Sequence, residues 1–210
     1  MSASQSSRHP KTLAAAFLVL RFSFPFLARA QESAPSVPFV GSSDRIVPFV
    51  PTPPEIVEKM LTMAQVDKLD TVYDLGSGDG RIVTMAAQKF GARAVGVELD
   101  DELFEKSTGR IEELGLEKRA KILKMNFFDV DLRPATVLTL YLLTSVNERL
   151  RPKMEKELRP GARVVSHDFQ VKGWEPERVE TVNSESGISH TIYFYVRPES
   201  KQGPDIRPNP

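Results

Sequence analysis

The chain has no cysteine, which excludes a disulfide scaffold, a thiolate nucleophile and a Cys-ligated zinc or iron–sulfur centre. Histidine is scarce: His9, His167 and His190 are the only three, too few for a His-rich centre, so no metal site is expected. An excess of one charge is also missing. Lys+Arg 28 against Asp+Glu 28 gives a formal net charge of zero, so there is no global basic field of the kind that holds nucleic acid, and no nucleic-acid partner is expected. What is present is a chain of 210 residues with 40% apolar side chains, enough for one ordinary domain with extensions and a core of its own.

The first thirty residues carry Arg8, Lys11, Arg21 and Arg29 and none of the acids, leaving the remainder with a net charge of −4. Two apolar stretches, Thr12–Leu20 and Phe22–Leu27, are split by Arg21 and followed by Ala28-Arg29-Ala30. That is the layout of a secretory signal peptide cut before Gln31, and neither stretch reaches the ~20 residues of a comfortable transmembrane helix. Residues 1–30 are therefore read as a signal peptide for export to a periplasm or medium. An uncleaved membrane anchor and a mitochondrial transit peptide are the alternatives, and contact with a membrane is expected only if the segment is retained. Seven prolines between Pro25 and Pro54 fix φ and remove donors, so 31–46 reads as a linker. The domain is placed at 47–197, and the proline-rich 198–210 reads as a disordered tail.

Within 47–197 strand and helix signals alternate. Thr52-Pro-Pro-Glu55 has the form of a capping box opening a helix whose inner side holds Ile56, Val57, Met60, Leu61 and Met63. Strands are expected at 71–74, 94–98, 120–125, 136–142 and 162–166, with helices at 81–90, closed by Gly91, and at 101–114. A further helix around 147–158 is interrupted or restarted at Pro152. A hairpin of 178–183 and 191–196 ends the body. Such alternation implies an α/β fold, a mostly parallel sheet covered on both faces with an antiparallel C-terminal hairpin.

Chemistry concentrates at Asp74-Leu-Gly76-Ser-Gly78-Asp-Gly80, where a strand becomes a helix. Glycines there let backbone approach a ligand, and the helix start offers free N–H groups. Glu98 stands eighteen residues after Gly80, at the end of the next strand, placed to accept from ribose hydroxyls. The spacing G-x-G-x-G departs from the dinucleotide fingerprint G-x-G-x-x-G, which disfavours a nicotinamide-dependent oxidoreductase. A carboxylate ahead of the first glycine suits a ligand bearing cations rather than pyrophosphate. S-adenosylmethionine carries an ammonium and a sulfonium and no phosphate.

These residues resemble the signature of the class I S-adenosylmethionine-dependent methyltransferases, D-x-G-x-G-x-G followed by an acid at the second strand's end. Here it is met by Asp74, Gly76, Gly78, Gly80 and Glu98, and the resemblance covers 47–197. It implies a Rossmann-like seven-strand sheet with S-adenosylmethionine as cofactor. Pro48-Phe-Val-Pro-Thr-Pro-Pro54 and Asp74–Val83 are similar to the small seven-strand protein-lysine methyltransferases, including those acting on ATP-synthase and carrier lysines. By that resemblance Pro51 and Thr52 lie beside the methionine end of the cofactor, and Asn126 and Phe127 meet the adenine. Tyr141-Leu-Leu-Thr144 stands where amino methyltransferases acting on DNA adenine or glutamine have Asn/Asp-Pro-Pro-Tyr, so those substrates lose weight.

For the acceptor side, Tyr141, His167 and Asp168 are the candidate catalytic residues, at the carboxyl ends of their strands. Each has a plainer reading: Tyr141 as core, His167 with Asp168 as a structural hydrogen-bonded pair. Phe127, Phe128, Phe169 and Trp174 form a candidate aromatic wall for an amine, or simply core. The expected function is methyl transfer to a protein lysine or other amine. A small-molecule acceptor and a non-catalytic exported S-adenosylmethionine-binding module are the rivals.

Overall fold

A computed structural model describes residues 49–197 of the chain; the signal peptide, the linker and the tail assigned above lie outside the described residues. Eleven elements follow one another: α1 (Pro54–Met63), β1 (Thr71–Leu75), α2 (Arg81–Gln88), β2 (Arg93–Glu98), α3 (Asp101–Glu113), β3 (Ala120–Lys124), β4 (Val137–Leu140), α4 (Thr144–Glu157), β5 (Arg163–His167), β6 (Arg178–Asn183) and β7 (Ser189–Val196). The seven strands form one sheet in the order β3-β2-β1-β4-β5-β7-β6. β1 to β5 run parallel, and β7 is antiparallel to both β5 and β6. This is the α/β, mostly parallel arrangement that the alternation implied and the Rossmann-like seven-strand sheet that the resemblance implied. The direction of winding reverses between β1 and β4, and the crevice outside the carboxyl ends of such strands is where open α/β sheets bind ligands.

Alternate strand residues divide the core into two layers. Val72, Ala94, Val137, Val165 and Ile192 pack with α1 and α2 on one face. Tyr73, Leu75, Val97, Leu138, Leu140, Val164 and Tyr195 pack with α4 on the other. All five inner residues expected of α1 are buried.

Two local expectations fail. The capping box does not form: α1 is capped by Pro53 without a side-chain bond, and the Pro53 carbonyl accepts the N–H of both Ile56 and Val57 at 3.0 Å. Its two polar members have gone to tertiary partners instead. The Thr52 hydroxyl meets His167 Nδ1 at 3.1 Å, and Glu55 Oε1 accepts the N–H of Glu185 at 2.8 Å. Nor does Pro152 break α4, which starts earlier than expected and runs through it. Leu150 and Met154 on either side are fully buried, and the Glu148 carbonyl that loses its donor sits on the exposed side, where water can replace it.

At the amino ends of β1 and β5, Asp70 is 5% exposed and ion-paired to Arg163. Asp70 also accepts the Thr136 hydroxyl at 2.7 Å and the Asp67 N–H at 2.9 Å. Arg163 additionally donates to the carbonyls of Ala64 and Gln65 at 2.6 and 3.0 Å. One guanidinium thus ties the end of α1 to the starts of β1 and β5.

Candidate active site

The glycine loop leaves β1 and turns back over the end of β2: the N–H groups of Gly76 and Ser77 both donate to the Val97 carbonyl, at 2.9 and 3.0 Å. Two glycines make this geometry possible. Gly80 caps α2 with φ +74°, and a Cβ there would stand 2.9 Å from Ser107 Cβ and 3.5 Å from its Cα on α3. Gly96, inside β2, stands outside the glycine motif. A Cβ there would stand 2.6 Å from both Ser77 Oγ and Ile122 Cδ1, so it is the floor on which the loop rests. A glycine in a strand interior is the sequence signal for such a close approach. Gly80→Ala is expected to cost about 2–3 kcal/mol, from left-handed strain plus the displacement of α3. Thermal denaturation checks it, and S-adenosylmethionine should raise the melting temperature of the variant less than that of the parent.

Glu98 closes the loop from the other side. One carboxylate oxygen accepts the Gly78 N–H at 2.8 Å, and the other accepts the N–H groups of Leu99 and Asp100, both at 2.9 Å. A carboxylate has about four acceptor positions, so one remains on the Gly78 side for a ribose hydroxyl. Asp79 is clamped by Arg81 through two guanidinium bonds of 2.9 and 2.7 Å. Burial raises the Asp79 carboxyl, but these bonds outweigh it and hold the group below the ordinary aspartate range. Arg81 also donates to the Thr52 carbonyl at 2.7 Å, and the ring of Phe49 rests against Gly78. Pro51 is exposed beside them.

Asp74 is the electrostatic anomaly. It is 3% exposed, and burial pushes its carboxyl up to about 7, with Glu98 and Asp79 adding repulsion and the Thr139 hydroxyl opposing them. Thr139 Oγ1 donates to Oδ1 at 2.7 Å; the other oxygen has no hydrogen-bond partner among the described residues. A buried carboxylate short of partners, beside two more carboxylates, is complementary to a cation and hostile to a phosphate. The residues present therefore fit S-adenosylmethionine: Asp74 for its cationic end, Glu98 for ribose, and the Gly76–Gly80 backbone for close approach. After β3, Asn126 Oδ1 accepts the Phe128 N–H at 3.0 Å, leaving its amide N–H groups for the adenine, with Phe127 buried beside it.

The acceptor end is built by β4, β5 and β7. His167, last in β5, is fully buried with both ring nitrogens engaged, Nδ1 by Thr52 and Nε2 by His190 Nδ1 at 2.9 Å. Burial pulls it down to about 4, against the opposing pull of Asp168. The Tyr141 ring lies on His167 with centroids 3.9 Å apart, and 6.1 Å from the ring of Phe169. Burial and then the Asp168 carboxylate raise the Tyr141 phenol, so it is a neutral hydroxyl near neutral pH. Tyr141, His167, Asp168 and Phe169 are thus brought together, and they are joined by His190, which no local motif singles out. The rest of the aromatic wall is not assembled there. Trp174 packs edge-on against Tyr195 at 6.0 Å and donates to Glu155 at 3.0 Å, while the rings of Phe127 and Phe128 pack against each other at a tilt of 49°, centroids 4.9 Å apart.

A doubly wound seven-strand sheet whose first strand delivers a buried acid into a three-glycine loop, with a second acid ending the neighbouring strand, defines an S-adenosylmethionine-dependent methyltransferase. The chain belongs to the family of the ANTKMT methyltransferase domain, whose model matches residues 74–178. It is 52% identical over 156 residues, 74% of this chain and 96% of the other, to a protein-lysine N-methyltransferase of Saccharolobus islandicus. It is 34% identical over 146 residues, 69% of this chain and 67% of the other, to an ATP synthase lysine N-methyltransferase of Rattus norvegicus. Among solved structures, an RNA methyltransferase from Salinibacter ruber in complex with S-adenosyl-L-homocysteine superposes with a TM-score of 0.67 at 46% identity, covering 72% of this chain and 95% of that one.

Proposed function

We propose that this methyltransferase delivers its methyl group to the ε-amine of a lysine presented by a protein. The observation that carries the reading is the acceptor end itself: a neutral Tyr141 hydroxyl held on His167, beside the Asp168 carboxylate, whose side chain is 28% exposed. The names of the lysine methyltransferases similar to this chain support it, whereas the name of the Salinibacter protein points to RNA; the net charge of −4 beyond residue 30 weighs against phosphates.

S-adenosylmethionine, when bound, supplies a methyl carbon bonded to a sulfonium, and attack by an amine lone pair forms C–N as C–S breaks, leaving S-adenosylhomocysteine. The chain's residues have to align the reactants and present the amine without its proton. Asp74 and Glu98 hold the donor by charge and by ribose hydrogen bonds. Tyr141 offers a phenol oxygen to an amine N–H and so aims the lone pair. Asp168, oriented by the Thr191 N–H at 2.7 Å, attracts the cationic side chain to the mouth. His167, enclosed and doubly bonded, is a positioning residue for Tyr141 and Thr52.

With labelled S-adenosylmethionine and host extract, label should enter a protease-sensitive, ribonuclease-resistant fraction and appear as methyl-lysine after acid hydrolysis. Label lost to ribonuclease, or confined to small molecules, overturns the acceptor assignment. Tyr141→Phe should lower turnover about tenfold, the worth of one strong hydrogen bond, with S-adenosylmethionine affinity unchanged by calorimetry. For the first thirty residues we infer export, with cleavage between Ala30 and Gln31 as the small residues Ala28 and Ala30 indicate. The intact mass of the protein from its native host should then start at Gln31, and a full-length mass would favour an anchor.

A further inference from the structure

We propose that His167, Asp168 and His190 form a binding site for a divalent transition cation of the zinc type. His167 Nε2 and His190 Nδ1 are 2.9 Å apart, and Asp168 Oδ2 is 3.3 Å from each. Donors bound at about 2.0–2.1 Å around one tetrahedral zinc stand about 3.3 Å from one another. The triangle is therefore close to the size an ion requires, and an ion just outside its plane reaches all three atoms. Two imidazoles and one carboxylate are a donor set that selects borderline metals over calcium or magnesium.

The backbone goes out of its way to produce this convergence. Adjacent residues of a strand point to opposite faces, so His167 and Asp168 should diverge. They meet because Asp168 takes a left-handed conformation, φ +56°, which is strained for a residue with a side chain. His190 arrives from β7, two residues from Ile192, the register partner of His167, and so lies diagonally across the antiparallel pair on the same face.

Two of the three donors also have the outer partner that metal ligands need. The Thr52 hydroxyl engages His167 Nδ1 at 3.1 Å, so that Nε2 would meet the ion in place of its hydrogen bond to His190 Nδ1, and the Thr191 N–H at 2.7 Å holds Asp168 Oδ1. Asp168 is the donor that solvent reaches, with 28% of its side chain exposed against 0% for His167 and 9% for His190, so the fourth position opens on its side. A count of histidines argues against such a site, yet two of the only three in the chain meet in it.

Occupancy would turn the local charge from −1 to +1 beside Tyr141. On the lysine reading of the acceptor, which this consequence alone rests on, the ion opposes entry of a cationic side chain. Binding itself is measured on the untagged full-length chain, without acceptor, by zinc competition against a chromophoric chelator. One equivalent should bind with submicromolar affinity, and cobalt(II) should give the intense visible bands of a four-coordinate ion. Asp168→Asn and His190→Ala should each weaken zinc binding about 100-fold or more, since loss even of an outer partner costs 10–100-fold. His9→Ala should leave it unchanged. S-adenosylmethionine affinity, read on the same samples, reports that each variant is folded. No zinc binding by the folded parent, or binding that survives in both Asp168→Asn and His190→Ala, overturns the proposal while leaving the lysine reading intact.

Discussion

Asp74→Asn is expected to weaken S-adenosylmethionine binding tenfold or more while making the unliganded protein more stable at pH 8. The loss of affinity follows from removing a charge-assisted contact worth about 1.5–3 kcal/mol. The gain in stability follows from the elevated carboxyl. In the folded protein the group titrates at about 7 and in the unfolded chain at about 3.9. Its contribution is thus present in full below the unfolded value and is lost as pH rises through the folded one. At pH 8 the folded protein carries a buried, uncompensated anion, and the amide keeps the Thr139 bond without that charge. Ligand affinity runs the other way: a cation selects the ionised form, so the parent should bind S-adenosylmethionine more tightly as pH rises from 6 towards 7, levelling above it. Calorimetry over pH 6–8 and melting curves of both proteins check both signs. Affinity in the variant that still tracks pH as in the parent would remove Asp74 from the cationic end of the site.

Arg163→Met should lower stability by about 3–5 kcal/mol, the range for removing one partner of a buried ion pair. Asp70 would be left 5% exposed with the Thr136 hydroxyl and the Asp67 N–H as its remaining donors, and the Ala64 and Gln65 carbonyls would lose theirs. For a domain of this size the melting temperature should fall by about 10 °C. Asp70→Asn in the same chain should recover part of it, because the stranded charge is then gone. S-adenosylmethionine affinity of the folded fraction should be preserved, since the pair sits at the amino ends of the strands and the glycine loop at the carboxyl ends.

The arrangement around the glycine loop was legible in the sequence because its parts are local. Asp74, three glycines and Glu98 follow one another at spacings that a strand, a turn, a helix and a second strand dictate. The order of elements followed from apolar periodicity for the same reason, and the family resemblance rested on those residues. What escaped were features made by distant segments. His190 reaches His167 only through the β5–β7 register, and the αL turn at Asp168 that completes the cluster has no marker such as glycine. Thr52 and Glu55 satisfied the local rule for a cap, but tertiary partners on β5 and on the β6–β7 turn outcompeted it. Gly96 signals a close approach by being a glycine inside a strand, but nothing beside it in sequence identifies Ser77 as the group that approaches, and Pro152 was overruled by the burial of Leu150 and Met154.

Thr52 is held by its hydroxyl from His167 at the end of β5 and by its carbonyl from Arg81 at the head of the helix that follows the glycine loop. On the proposed reading those two anchors belong to opposite halves of the reaction, one next to the acceptor and one next to the donor. Any coupling free energy that passes between the two sites through this residue is reciprocal. Whatever factor S-adenosylmethionine contributes to the affinity for the acceptor, the acceptor must contribute to the affinity for S-adenosylmethionine. Demethylated donor, which differs by the transferred carbon and its positive charge, would inherit most of that factor, so inhibition by S-adenosylhomocysteine should change with acceptor concentration in the same direction as the affinity for S-adenosylmethionine.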